Sequence, residues 1–175
     1  LVRGAGGRGE SLLAADQDNA IIHAGAAAED PWFAEIGRRI GDILASAGIP
    51  LCKGEVMARN PEWRHTRQGW REHVDRWIQR KEGESLLNID IFFDLHPVYG
   101  NHALAEELHG HALAAAAGSR LFLRLLAADL EHMRTPIGLF GQIRTQNGRF
   151  NIKVNGLFPV VTAARVLAIR HRLTA

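Results

Sequence analysis

Hydrophobic positions along the chain switch between two spacings, and each switch marks an element. Leu1-Val2-Arg3 runs straight into Gly4-Ala5-Gly6-Gly7-Arg8-Gly9, the end of a strand entering a glycine-rich turn. Asp16-Gln17-Asp18-Asn19-Ala20-Ile21-Ile22 alternates and then turns apolar, as a strand does on entering a core, with Asp16 and Asp18 on one face. A helix follows, punctuated by Asp30 as N-cap, Pro31 in its first turn, and Gly48 and Pro50 beyond its end. Trp32, Ile36, Ile40, Ile43 and Ala47 form its expected buried stripe. Ile49 to Met57 reads as a short strand broken at Gly54, and Pro61 to Gln79 as a second helix. On that helix Trp63, Trp70, Val74, Trp77 and Ile78 share one arc, flanked by Arg64 and Arg71.

The clearest strand is predicted over Leu86 to Val98. Leu87, Ile89, Ile91, Phe93 and Leu95 alternate with Asn88, Asp90, Phe92, Asp94 and His96, so one face is core and the other carries two carboxylates and an imidazole. Alanine, leucine and charge at helical spacing from Asn101 to Arg134, interrupted at Gly118-Ser119, predict two successive helices. A loop with Pro136, Gly138 and Gly141, a turn at Asn147-Gly148 and a last helix from Leu157 to Arg172 complete the chain. No internal repeat is visible.

At 175 residues, 46% hydrophobic and 23% charged, the composition sets aside disorder, collagen and coiled coil. The longest uncharged runs, such as Ala112 to Ser119, fall far short of the roughly 20 apolar residues of a membrane span. Cys52 is the only cysteine, so neither an internal disulfide nor a multi-cysteine zinc site can form within the chain, and a cytoplasmic setting is expected. A formal charge of +2 does not point to nucleic acid. Lys53, Lys81 and Lys153 are the only lysines, and the arginine excess reflects either base composition or phosphate binding. No signal peptide is expected, and the start at Leu1 reads as a piece of something longer.

A glycine-rich turn followed by two aspartates one residue apart suits metal-dependent phosphoryl transfer. Backbone N–H groups of such a turn cradle a polyphosphate, and two carboxylates on one face hold divalent cations. Asp94, or alternatively Asp90, is available as a third carboxylate. Each part has a plainer reading: an ordinary loop, an Asp-x-Asp turn, an exposed sheet face. Their conjunction is far less common than any one of them.

Gly4-Ala5-Gly6-Gly7-Arg8-Gly9-Glu10 followed by Asp16-Gln17-Asp18-Asn19 resembles the signature of the polymerase-β-like nucleotidyltransferases, especially the amino-terminal domain of PII-protein uridylyltransferases. Cys52-Lys53-Gly54-Glu55-Val56-Met57-Ala58, Asn60-Pro61-Glu62-Trp63, Ile91-Phe92-Phe93-Asp94 and Gly156-Leu157-Phe158-Pro159 narrow the resemblance. They resemble nucleotidyltransferases found after cyclic-nucleotide-binding and CBS domains in bacterial signalling proteins. The resemblance spans essentially the whole chain. It implies an α/β (α+β) fold: a small mixed sheet with flanking helices over 1–100 as the catalytic-type domain. A C-terminal helical bundle over 101–175 would be the substrate-binding-type domain, truncated at its C-terminus. It implies transfer of a nucleoside monophosphate from an NTP to a hydroxyl of a protein or small molecule, with Mg²⁺ or Mn²⁺ as cofactor. Asp16, Asp18 and Asp94 match the catalytic and metal-binding carboxylates, and Gly4, Ala5, Gly7 and Arg8 the phosphate-binding turn. The acceptor, a regulatory protein among the candidates, is not named by these residues, and neither membrane nor nucleic acid is expected as a partner. Ala5 stands where the family has serine or glycine, and His96 where arginine is expected. A degenerate module that binds nucleotide without chemistry is therefore the alternative, and a helical interaction domain a third reading.

Other features read as structural. The tryptophan arc is packing, and His109-Gly110-His111 would point about 200° apart on a helix. Cys52 is a small buried hydrophobe. Arg8 is placed to meet phosphate or to pair with Glu10. Arg64, Arg67 and Arg71 form a solvated face or a steering patch, and Lys153 reaches phosphate or caps a helix.

Overall fold

The computed structural model describes residues 1–10, 16–80, 92–132, 137, 140–143, 145 and 148–173, in two units, Leu1–Ala112 and Leu113–Ala175. The first unit is built on short extended segments. Ile21–His23 (β1) pairs in parallel with Arg64–Thr66 (β2), Ile21 opposite Arg64 and His23 opposite Thr66. Antiparallel bridges join Val2 to Asn19 on one side and to His96 on the other. Val2 and His96 exchange backbone hydrogen bonds of 2.9 and 2.8 Å, and the Arg3 N–H donates to the Asp18 carbonyl at 3.2 Å. The pairing is thus mixed, flanked by helices, as the α/β expectation requires.

After Val2 the glycine-rich stretch closes into one helical turn, Gly4–Gly7 (α1), where a loop was expected. The next helix, Asp30–Ser46 (α2), begins one residue earlier than its punctuation suggests, with Glu29 at the N-cap position. Asp30 does not cap it because Arg64 claims its carboxylate, Nε to Oδ1 at 2.7 Å and Nη2 to Oδ2 at 2.9 Å. The inward face of α2 also differs from the expected stripe. Gly37 and Gly41 are the buried positions, whereas Trp32, Ile40 and Ile43 are exposed. A Cβ at Gly37 would stand 2.6 Å from the Ala58 carbonyl group, so only glycine lets the helix backbone approach that loop.

The predicted strand Ile49–Met57 is an irregular segment. Its backbone is tied at two points, by the Gln17 N–H to Pro50 O and the Asn19 N–H to Val56 O, both 3.1 Å, and Glu55 turns it with φ 56°. The predicted helix Pro61–Gln79 divides into three: a 3-10 turn Pro61–Trp63, β2, and Arg67–Gln79 (α3). Polar caps make the divisions. Asn60 Oδ1 accepts from the Glu62 N–H, and Thr66 Oγ1 accepts from the Gly69 N–H at 2.9 Å. Trp63, Trp70, Trp77 and Phe92 nonetheless meet in the core, as the tryptophan arc implies; Trp63 and Trp77 have ring centroids 5.2 Å apart.

Residues 81–91, with most of the predicted Leu86–Val98 strand and Asp90, lie outside the described residues. From Phe92 the chain turns instead of running extended, the Leu95 N–H bonding to Phe92 O at 3.1 Å, and among the described residues of the segment His96 joins the bridging. Phe92 and Phe93 are both buried, which a strict strand alternation would not allow.

The expected helix pair is present as His102–Gly118 (α4) and Arg120–His132 (α5), with the Ser119 hydroxyl accepting from the Phe122 N–H at the break. The last helix is Phe158–His171 (α6), entered through a π-helical turn Lys153–Leu157. In the second unit α5 and α6 pack together, with Phe122, Leu126 and Ile169 buried. Pro136, Gly138 and Asn147 lie outside the described residues, while Gly141 and Gly148 take the positive φ expected of turn glycines. Among the described residues no helix is long and apolar enough to cross a membrane.

Candidate functional site

The chain segment Leu1–Arg3 carries the glycine turn on its end and is bonded on one flank to Asp18-Asn19-Ala20 and on the other to His96. Backbone pairing therefore brings the turn, the Asp16–Asp18 pair and the Asp94 segment to one place in the first unit, although they are far apart in sequence. Asp16 is exposed and Asp18 half-buried, while the intervening Gln17 is buried. The alternation is maintained by amides. Gln17 Nε2 donates to Gly41 O and Ile49 O at 3.0 and 2.9 Å, tying the strand to the end of α2. Asn19 Oδ1 accepts from the Ala58 N–H at 2.9 Å, tying it to the loop before the 3-10 turn. Asp16 and Asp18 thus stand on a backbone anchored by the residues between and after them.

Cys52 lies against Asp18, and burial together with that carboxylate pushes its thiol up, so it is a packed neighbour of the site rather than a nucleophile. Arg3, completely buried, lies with its guanidinium over the Trp63 ring, 3.6 Å from the centroid. Burial lowers it to about 10, partly offset by the charges of Asp18 and Cys52.

Gly7 packs directly on the Asp94 backbone. A Cβ there would fall inside the Asp94 carbonyl oxygen, which explains glycine at this position more directly than phosphate contact does. Arg8 then reaches back over Asp94. Its Nη1 pairs with Asp94 Oδ2, and its Nε donates to Glu10 Oε2 at 2.8 Å. The Glu10 pair expected as one reading of Arg8 is thus present, and the same side chain also holds Asp94. His109 sits beside this segment, its Nε2 3.3 Å from Phe93 O. The backbone of Gly4 and Ala5 forms the first half of α1.

The donor set is all oxygen, which suits magnesium. Among the described residues no three His, Cys, Asp or Glu side chains converge on one point. A magnesium site of one or two carboxylates completed by phosphate oxygens and water needs no such convergence.

The basic strip is paired from within, three guanidinium groups on two carboxylates. Arg64 is buried on Asp30, and Arg67 and Arg71 both bind the Glu107 carboxylate. His111 lies 2.9 Å from Asp75 Oδ1, so it is a structural partner, and Lys153 lies over Phe158. Arg3, Gln17 and Asn19 have no individual role legible in the sequence. Gln17 and Asn19 carried a signal all the same, as the polar residues interleaved with the two aspartates.

In comparisons with known proteins, residues 1–84 match the family described as "Putative nucleotidyltransferase DUF294" and residues 120–175 the family described as "Putative nucleotidyltransferase substrate binding domain". No curated protein and no solved structure matches the chain.

Proposed function

Because the chain belongs to the nucleotidyltransferase family matched over residues 1–84 and 120–175, we propose that it moves a nucleoside monophosphate from an NTP to a hydroxyl acceptor. The observation that carries this reading is the double bridging of Val2, to Asn19 and to His96, which gathers the glycine turn, Asp16, Asp18 and Asp94. Asp16 and Asp18 hold Mg²⁺ or Mn²⁺, which when bound supplies positive charge to the phosphate oxygens. The turn from Gly4 through Gly7 receives the triphosphate on backbone N–H groups, apart from that of Gly7, which donates to the Arg3 carbonyl. Asp94 takes the proton of the acceptor hydroxyl as that oxygen bonds to the α-phosphorus. The bond from the α-phosphorus to the bridging oxygen breaks, and pyrophosphate leaves.

Arg8 has two duties in sequence. In the state described it holds Asp94, and it must turn from that carboxylate to the triphosphate before Asp94 accepts a proton. The serine that the resembled family places at position 5 is alanine here, which removes one neutral hydrogen bond worth roughly 0.5–1.5 kcal/mol and so weakens binding without abolishing it. The acceptor belongs to a signalling setting of the uridylyltransferase kind in this reading, cytoplasmic and attached to regulatory domains, with residues 101–175 presenting it.

A second reading, nucleotide binding without chemistry, is favoured by Ala5 and by the Arg8 pair that occupies Asp94. Thermal stability with ATP, GTP, CTP and UTP, each with and without Mg²⁺ or Mn²⁺, tests the site. A nucleotide at a hundred times its Kd adds roughly 2.7 kcal/mol, a shift of several degrees. That shift should require metal and disappear in the Asp16→Asn,Asp18→Asn double variant, measured against that variant's own unliganded Tm. Retention of the shift by the double variant would place the site elsewhere. Pyrophosphate release then separates transfer from binding alone.

A further inference from the structure

Arg3 is a cation with no exposed surface, and none of its three guanidinium nitrogens finds a hydrogen-bond partner among the described residues. A buried donor left unpaired costs stability, and an uncharged chain of the same length would pack on Trp63 without that cost. The Asp18 charge offsets part of that cost, but no hydrogen bond among the described residues repays the rest, so packing alone does not account for the cation. Its position suggests what does. The Arg3 N–H is bonded to the Asp18 carbonyl, and the Arg3 carbonyl accepts from the Gly7 N–H at 3.1 Å, so the residue is the joint between the glycine turn and the aspartate pair. The Trp63 ring beneath the guanidinium, itself buried, offsets part of the desolvation by cation–π attraction and keeps the charge in place.

Resting on the nucleotide-binding reading above, we propose that Arg3 is a positioning residue for the nucleotide: its buried charge draws the triphosphate onto the Gly4–Gly7 turn through the protein without touching it. In a low-dielectric setting such a charge acts over distances at which a surface arginine is screened. Four negative charges on a triphosphate respond to it far more than an uncharged ligand would.

The test is binding of inorganic triphosphate and of ATP, each with Mg²⁺, to the parent, Arg3→Met and Arg3→Lys, together with the Tm of each. Arg3→Met keeps the length of the side chain on Trp63 but leaves the Asp18 charge without its partner, so it should fold with a Tm within several degrees of the parent's. Its Kd for both ligands should rise about tenfold, the size of a buried charge acting at a distance. Arg3→Lys retains the charge and should bind within about threefold of the parent. Equal affinity for parent and Arg3→Met overturns the proposal and leaves the nucleotide reading standing. An Arg3→Met chain that does not fold, or an Arg3→Lys chain as weak as Arg3→Met, assigns Arg3 to packing and overturns it too. A parent that binds neither ligand defeats the nucleotide reading itself, and this proposal with it.

Discussion

The strictest demand made on a single residue falls on Gly7. Its neighbour is a backbone carbonyl, Asp94 O, which has no rotamer to give way. Gly7→Ala should cost about 1–3 kcal/mol, as overpacking does, and displace the Asp94 segment from α1. A falling Tm with parallel loss of metal-dependent nucleotide binding is the expected outcome, and an alanine variant with the parent's Tm would refute the close approach. Glycine at this position is legible in the sequence as part of a rich turn, but its physical reason is not. What it touches lies 87 positions away and comes into contact only when Val2 pairs with His96. The same holds for Arg8, whose partner Glu10 is two residues on and whose partner Asp94 is not local at all.

At the scale of the element, α2 shows how a periodic stripe misleads. Trp32, Ile36, Ile40 and Ile43 form a well-spaced apolar row, yet the face turned to the core is the one with Gly37 and Gly41. Close approach of backbone to backbone, Gly37 to Ala58, decided the orientation, and small residues carry almost no hydrophobicity signal. Two substitutions separate the faces. Ile43→Ser, at a position 65% exposed, should change stability by no more than about 0.5 kcal/mol. Gly37→Ala should destabilise by about 1–3 kcal/mol despite the roughly 1 kcal/mol by which alanine favours a helix, because the added methyl meets main chain. Urea denaturation of the two variants gives both numbers, and the reverse ranking would restore the stripe as the core face. The break between the two following helices, by contrast, was readable. Gly118-Ser119 breaks α4 from α5 as expected, since a serine cap and a poor helix former act locally.

For the molecule as a whole, the aromatic core carries two imidazoles, and these set its response to acid. His65 and His73 stack 4.5 Å apart against Trp70, with Glu62, Arg76 and Arg80 facing them. Burial first lowers both from 6.5 to about 4, helped at His65 by the charge of His73 and then of Arg76, and at His73 by Arg76 and Arg80. The unfolded chain therefore binds more protons than the folded one below about pH 6.5. Stability should be level above that pH and fall as pH drops toward 4, and His73→Phe should make the fall shallower. A Tm that does not change between pH 7 and pH 4.5 would contradict the burial of this pair. The sequence by itself determined the helical pair α4 and α5, the tryptophan core and the spacing of the glycine turn and the aspartate pair, because periodicity, caps and motif spacing are local properties, while the class of fold followed from the family resemblance those motifs carry. Tertiary structure alone decided which face α2 buries and that Arg64 serves Asp30 rather than a steering patch. It alone seated a bare Arg3 on Trp63 and carried Asp94 to the glycine turn. Each of these depends on a contact between segments that the chain keeps apart, where backbone distance and desolvation, not residue spacing, choose the partner.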